Sequence, residues 1–347
     1  MTQILARFAA AVLAAFVVLA GGQSGYAQTV EKPKVSIGAA GSSGQIAFLA
    51  LNVLKTKGFA KEFGVDFDIT DFGSGAKGVE ALVTGTVDML GGVYEHAIRM
   101  QAKGQDIKSV VCTFNAPGLV LGVTKAFAPS YKSIADLKGK YVGVSAPGSA
   151  THNFLNLLLT RGGLKPEDVS VISVGNAMGA VAAIRTRGEL QAIVNYDPVI
   201  AELESTGDIK VVADTRGVND TRAVYGSDYT SLCLLSGGDF VKRNPKTVQA
   251  MVNGMVKALR WMSKATPDQI LEAVPKQFWE NNKSLYREMI VKSMPGLSQD
   301  GLVSKEAANT VYQSMLQFDA AVKDAKFDLT RTYDNTFVEK ALGELKN

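Results

Sequence analysis

The residues with capacity for chemistry in this 347-residue chain recur at one kind of place, directly after a short apolar run and before an amphipathic one. Ser42, Ser43 and Gln45 follow the run 34–38; Gly73, Ser74 and Gly75 follow 65–70; Gly92 and Tyr94 follow 87–90. Further along, Ser149 and Thr151 follow 141–144, and Asn195 and Asp197 follow 191–194. The only two histidines, His96 and His152, come just after two of these points. Glycine lets a ligand approach the backbone, and the first turn of a helix offers unpaired N–H groups at a positive dipole end. Several such ends facing one cleft would hold a small anion. Helix capping accounts for Ser, Thr and Gly singly, but not for their concentration at every strand end.

Other chemistries find no support. Gly73-Ser74-Gly75-Ala76-Lys77-Gly78 satisfies G-x-G-x-x-G, yet it follows the second strand and no acidic residue closes the next one, so it reads as a nest for a smaller anion than a dinucleotide. Gly143-Val144-Ser145-Ala146-Pro147 lacks the last glycine of a nucleophile elbow. No cysteine pair, H-E-x-x-H or phosphate-binding G-x-x-x-x-G-K-[ST] occurs. Neither catalytic residues, a metal nor a cofactor is expected, and the chain does not read as an enzyme.

The elements that must position these residues alternate strand, glycine turn and helix. Strands are expected at 34–38, 65–70, 87–90, 108–113 and 119–124, and again at 141–144, 169–174, 191–194 and 209–213. Short strands separated by helices indicate right-handed βαβ units and open, mostly parallel sheets. Segments 127–132 and 214–227 read as loops joining two such groups, after which a strand at 231–235 returns to the first. From 244 on only helices are expected. Val248, Met251, Val252, Met255, Val256 and Leu259 mark one amphipathic face, with Pro245 at its start.

Residues 1–27 read as a cleavable export signal. Arg7 precedes an apolar run at 8–20, about thirteen residues where a membrane span needs roughly twenty, and small residues stand at Gly25 and Ala27. Charged residues make up 20% and apolar residues 46% of the chain, an ordinary globular balance. The net charge of +4 is dispersed, so nucleic acid is not an expected partner. A monomer is expected. Cys112 and Cys233 lie in apolar, strand-like segments; a disulfide and two buried thiols are both open, with the thiols favoured.

Four short motifs carry a resemblance. Asp136-Leu137-Lys138-Gly139-Lys140-Tyr141-Val142-Gly143-Val144 resembles the opening of the second lobe in periplasmic solute-binding proteins. Gly85-Thr86-Val87-Asp88, Gly162-Gly163-Leu164-Lys165-Pro166-Glu167-Asp168-Val169, and Arg187-Gly188-Glu189-Leu190 leading to Asp197-Pro198 are similar to other steps of those proteins. Together they resemble the nitrate/sulfonate/taurine branch that serves ABC importers.

That resemblance implies a type II periplasmic-binding fold: two α/β lobes joined by two hinge crossings, with a helical C-terminal segment. Lobe I would comprise 28–126, lobe II 127–220, and 221–347 the return to lobe I and the C-terminal helices. It also implies a small-molecule ligand in the cleft and an ABC permease at the inner membrane as partner. Ser42, Ser43, Gln45, Gly73–Gly75, Gly92, Tyr94, His96, Ser149, Thr151, His152, Asn195 and Asp197 would touch the ligand. Members bind sulfonates, oxyanions, or aromatic and heterocyclic compounds. No arginine stands at these positions, while Glu95 and Asp197 bring negative charge, which leaves room for a neutral or partly cationic ligand. Two alternatives are an enzyme of the same fold similar to thiamine-pyrimidine synthases, and a receptor for a membrane sensor kinase.

Overall fold

In the computed structural model, which describes residues 29–345, the strand–turn–helix alternation becomes two separate sheets. The export signal expected at 1–27 lies outside the described residues. The first group runs β1 (Lys34–Ala39), α1 (Leu49–Thr56), β2 (Asp66–Asp71), α2 (Gly75–Val83), β3 (Met89–Val93), α3 (Glu95–Ala102) and β4 (Ile107–Cys112). The second runs β5 (Val120–Thr124), β6 (Tyr141–Val144), α4 (Ala150–Arg161), β7 (Ser170–Ser173), α5 (Gly179–Thr186), β8 (Leu190–Asn195), α6 (Val199–Ser205) and β9 (Ile209–Asp214). Then come α7 (Val218–Tyr225), β10 (Leu232–Gly237), α8 (Gly238–Arg243), α9 (Pro245–Lys264), α10 (Pro267–Glu272), α11 (Lys283–Ser293), α12 (Lys305–Met315), α13 (Ala320–Lys323) and α14 (Thr336–Glu344).

The sheets have the orders β2-β1-β3-β10-β4 and β7-β6-β8-β5-β9. In each, the first three strands are parallel and the fourth runs antiparallel to both its neighbours. Strands covered on both faces read as continuous apolar runs; β3 and the antiparallel β5 are both buried along their whole length.

Strand β5, expected in the first group, pairs with β8 and β9 of the second sheet. The chain therefore crosses between lobes at 113–119, not at 127–132, and lobe II begins before Val120. The second crossing, at 215–231, is not a plain loop, because α7 occupies its middle. Only Thr221 and Tyr225 of that helix are buried, so it has no apolar stripe to betray it, and it ends at Gly226 in the left-handed conformation that suits glycine.

Cys112 and Cys233 stand opposite each other on β4 and β10 and form a disulfide, the less favoured of the two readings. The apolar face of α9 is buried throughout and packs on α1 and α14, each side chain contributing about 1.5–3 kcal/mol. Gly254 lies on that helix where a Cβ would stand 2.9 Å from the Ala60 backbone, so glycine sets how closely α9 approaches. The C-terminal helices touch both lobes: α11 packs against α6, and α12 against α3, α4 and α7. No described helix is long and apolar enough to cross a membrane.

Candidate functional site

The carboxyl ends of β1, β3, β6, β7 and β8 meet across the seam between the lobes. From lobe I, Gln45, Phe48, Gly75, Gly92 and His96 line a narrow cleft; from lobe II come Ser145, Ser149, Asn176 and Tyr196. Pro117 and Leu232, from the crossing at 113–119 and from β10, form part of its wall. A second small chamber shares Ala47, Pro117, Tyr196 and Leu232 with it and adds the apolar Ile46, Phe114, Ala116 and Met289.

Two helix N-termini point at the first chamber. Ser74 adopts extended backbone and caps α2 through its hydroxyl, which accepts from Lys77 N at 3.4 Å. Gly75, the first residue of α2, lines the cleft. At α4, Ser145, Ser149 and Thr151 bond one another through their hydroxyls at 2.7, 2.9 and 3.0 Å. That triangle fixes the turn, and the Ser149 side chain caps no first-turn N–H. Both ends can receive an anionic or carbonyl oxygen.

His96 is 3% exposed, and burial, helped by the nearby Arg99 charge, pulls its imidazole down to about 3. It meets a ligand as a neutral donor or acceptor. Behind it, burial pushes the Glu95 carboxyl up, only partly offset by hydrogen bonds from Asn153 and Tyr229 and by Arg99. Asn153 Nδ2 donates to Glu95 at 2.5 Å and Tyr229 OH at 2.8 Å. Arg99 donates to Asp319 at 2.6 Å, to Gly148 O at 2.9 Å and to Asn153 Oδ1 at 2.7 Å. Glu95 and Arg99 of α3 thus hold the start of α4, in the opposite lobe.

Of the residues expected to touch a ligand, the structure brings Gln45, Gly75, Gly92, His96 and Ser149 together in the first chamber and Asp197 beside the second. The others lie outside these two linings. Ser42 faces a further hollow with Met178 and Phe278, which Asn176 also lines. Ser43 donates its N–H to Asp71 and accepts from Asn52 at its carbonyl. Gly73 takes the left-handed backbone before α2 (φ +67°). Tyr94 is fully buried with its hydroxyl bonded to Thr332. Thr151 belongs to the hydroxyl triangle, and His152 Nδ1 accepts from Gly148 N at 3.0 Å. The Asn195 amide bonds Gly175 O and Tyr196 N.

Asn176, Ser145 and Phe48 line the chamber outside the expected contacts, and Tyr196 lines it from between the expected Asn195 and Asp197. Asn176 and Ser145 also end apolar runs, a signal the sequence carried; Phe48 faces the cleft only because a single 3-10 turn, Ile46–Phe48, precedes α1. Arg216 does reach the second chamber, but it is held by Asp214 at 2.6 Å, Glu204 at 3.1 Å and Asp197 at 3.5 Å. Burial raises the Asp197 carboxyl while Arg216 opposes that rise. The described residues contain no cluster of His, Cys, Asp and Glu that could hold a metal ion.

Residues 45–270 match the family model described as NMT1/THI5 like. The taurine-binding periplasmic protein of Escherichia coli (strain K12) is 27% identical over 273 residues, covering 78% of each chain. The structure of a protein from Bordetella bronchiseptica RB50 is 39% identical with a TM-score of 0.87, covering 92% of this chain and 100% of that one. The alkanesulfonate-binding protein SsuA from Xanthomonas axonopodis pv. citri, bound to MOPS, is 20% identical with a TM-score of 0.69, covering 90% and 99%. The two sheets with their helical C-terminal segment have the same type II periplasmic-binding fold.

Proposed function

The chain belongs to the NMT1/THI5-like family, and on that premise we propose that it is the periplasmic substrate-binding component of an ABC importer. It closes two lobes on a small organic ligand and presents the closed form to a membrane permease. One observation carries this reading: neutral polar groups and helix N-termini from both lobes converge on a single cleft at the seam. A ligand that touches both lobes favours the closed form by the difference between its affinities for the two. The names of the taurine- and alkanesulfonate-binding relatives support solute capture as the activity. Export on residues 1–27 is part of the proposal and predicts a mature protein that begins near Gln28.

The test is a thermal-shift screen of the mature protein against sulfonates, nitrate, aromatic carboxylates, heterocycles and amines. A ligand at a hundred times its dissociation constant adds about 2.7 kcal/mol, a rise of a few degrees in melting temperature. A hit abolished by His96→Ala supports the receptor. A hit indifferent to every cleft substitution places binding elsewhere and overturns it.

A further inference from the structure

Gln45 of lobe I and Asn176 of lobe II are each 2% exposed, and both line the first chamber. Gln45 Nε2 and Asn176 Oδ1 are wholly buried and have no hydrogen-bond partner among the described residues. Their other amide atoms, Gln45 Oε1 and Asn176 Nδ2, both crowd the point where a Cβ on Gly41 would stand. The two carboxamides therefore converge oxygen to nitrogen across a glycine that leaves them room. No hydrogen bond joins the two side chains to each other or to any other described residue, so each carboxamide, one from each lobe, keeps a donor and an acceptor for a ligand. Exchanging oxygen and nitrogen in either amide leaves that inventory of donors and acceptors unchanged.

Buried polar groups in folded proteins are paired almost without exception. A ligand that offers a carbonyl to one carboxamide and an N–H to the other pairs both at once and ties the lobes together. Nitrate and simple sulfonates present only acceptors, so the carboxamide acceptors stay unpaired. Nor does the cleft supply a free cation: Arg216 is held by three carboxylates, Arg99 by Asp319, and Lys292 by Glu288 at 3.0 Å.

Resting on the receptor reading above, we infer that the ligand is an uncharged molecule with adjacent N–H and C=O groups, a lactam, cyclic ureide or carboxamide edge, read jointly by Gln45 and Asn176. Beside the carboxamides, Ile46, Phe114 and Met289 offer apolar surface for the rest of such a molecule.

The experiment is titration calorimetry of the mature protein with 2-pyrrolidone, hydantoin and uracil, with their N-methylated counterparts, and with methanesulfonate, taurine and nitrate. At least one N–H compound should bind, and methylation of its nitrogen should weaken binding about ten-fold or more, the worth of one lost hydrogen bond. Gln45→Leu and Asn176→Leu should each do the same, while the methylation series needs no variant to fold. Binding of the sulfonates or nitrate with none of the N–H compounds overturns this inference and leaves the receptor reading standing. Silence across both classes also overturns this inference, while the receptor reading stands or falls on the wider screen above.

Discussion

Arg99 of lobe I and Asn153 of lobe II are joined side chain to side chain, Nη2 donating to Oδ1 at 2.7 Å. The same asparagine donates to Glu95, one turn earlier on the arginine's helix. The spacing of four puts Glu95 and Arg99 on one face of α3, so a single residue of the opposite lobe satisfies both.

Asn153→Ala breaks this junction twice, leaving a buried carboxyl short of a donor. A loss of about 1–3 kcal/mol in urea denaturation is expected, together with a larger radius of gyration in solution scattering as the lobes part. An unchanged radius would mean that the lobe arrangement does not depend on this junction.

Acid should act through His96. With its pKa lowered from 6.5 to about 3, the native protein refuses a proton that the unfolded chain accepts. Stability therefore falls as pH drops through that window, by up to about 1.4 kcal/mol per unit. Glu95, whose pKa is raised, has the opposite sign: its native form keeps a proton the unfolded chain has lost, so stability falls as pH rises above 4.5. The variant His96→Gln should gain on the wild type steadily as pH is lowered below 6.5, measured by denaturation at several pH values. Parallel curves would show that the buried ring accepts its proton in the native state.

A methyl group at residue 75 is expected to spoil the cleft but not the fold. Its Cβ would stand 2.6 Å from His96 Nε2 and 3.6 Å from Ser149 Cβ in the other lobe. Gly75→Ala must push the imidazole aside, and ligand affinity should drop about ten-fold or more with little change in circular dichroism. Equal affinity would place the ligand away from His96.

The disulfide closes a span of 121 residues. The double substitution Cys112→Ala with Cys233→Ala should cost about 2–4 kcal/mol, and the wild type should lose a similar amount when reductant is added under denaturing conditions. No effect of reductant would mean that the two sulfurs are not bonded in solution.

What the sequence made legible follows from what is local. Glycine and hydroxyl residues at strand ends, the alternation of strand and helix, and the face of α9 are all written in neighbours along the chain. Strand β5 was assigned to the wrong sheet because an apolar run such as Val120–Thr124 carries no mark of its partner. Ser74, Thr151 and His152 bond their own helix starts, because such side chains serve a local turn as readily as a ligand. The convergence of Gln45 with Asn176 depends on where two distant turns meet, which no spacing reveals.

The two sheets share one strand order but differ in how the chain completes them. Every strand of the second sheet lies between Val120 and Asp214, whereas the first waits for β10 to enter between β3 and β4. During synthesis, β4 therefore remains without its inner neighbour until some 121 further residues have left the ribosome, on the order of ten seconds at about 5–20 residues per second. Lobe II can mature as a contiguous insert while the amino-terminal strands stay incomplete, so the half of the molecule made first is the half that finishes last.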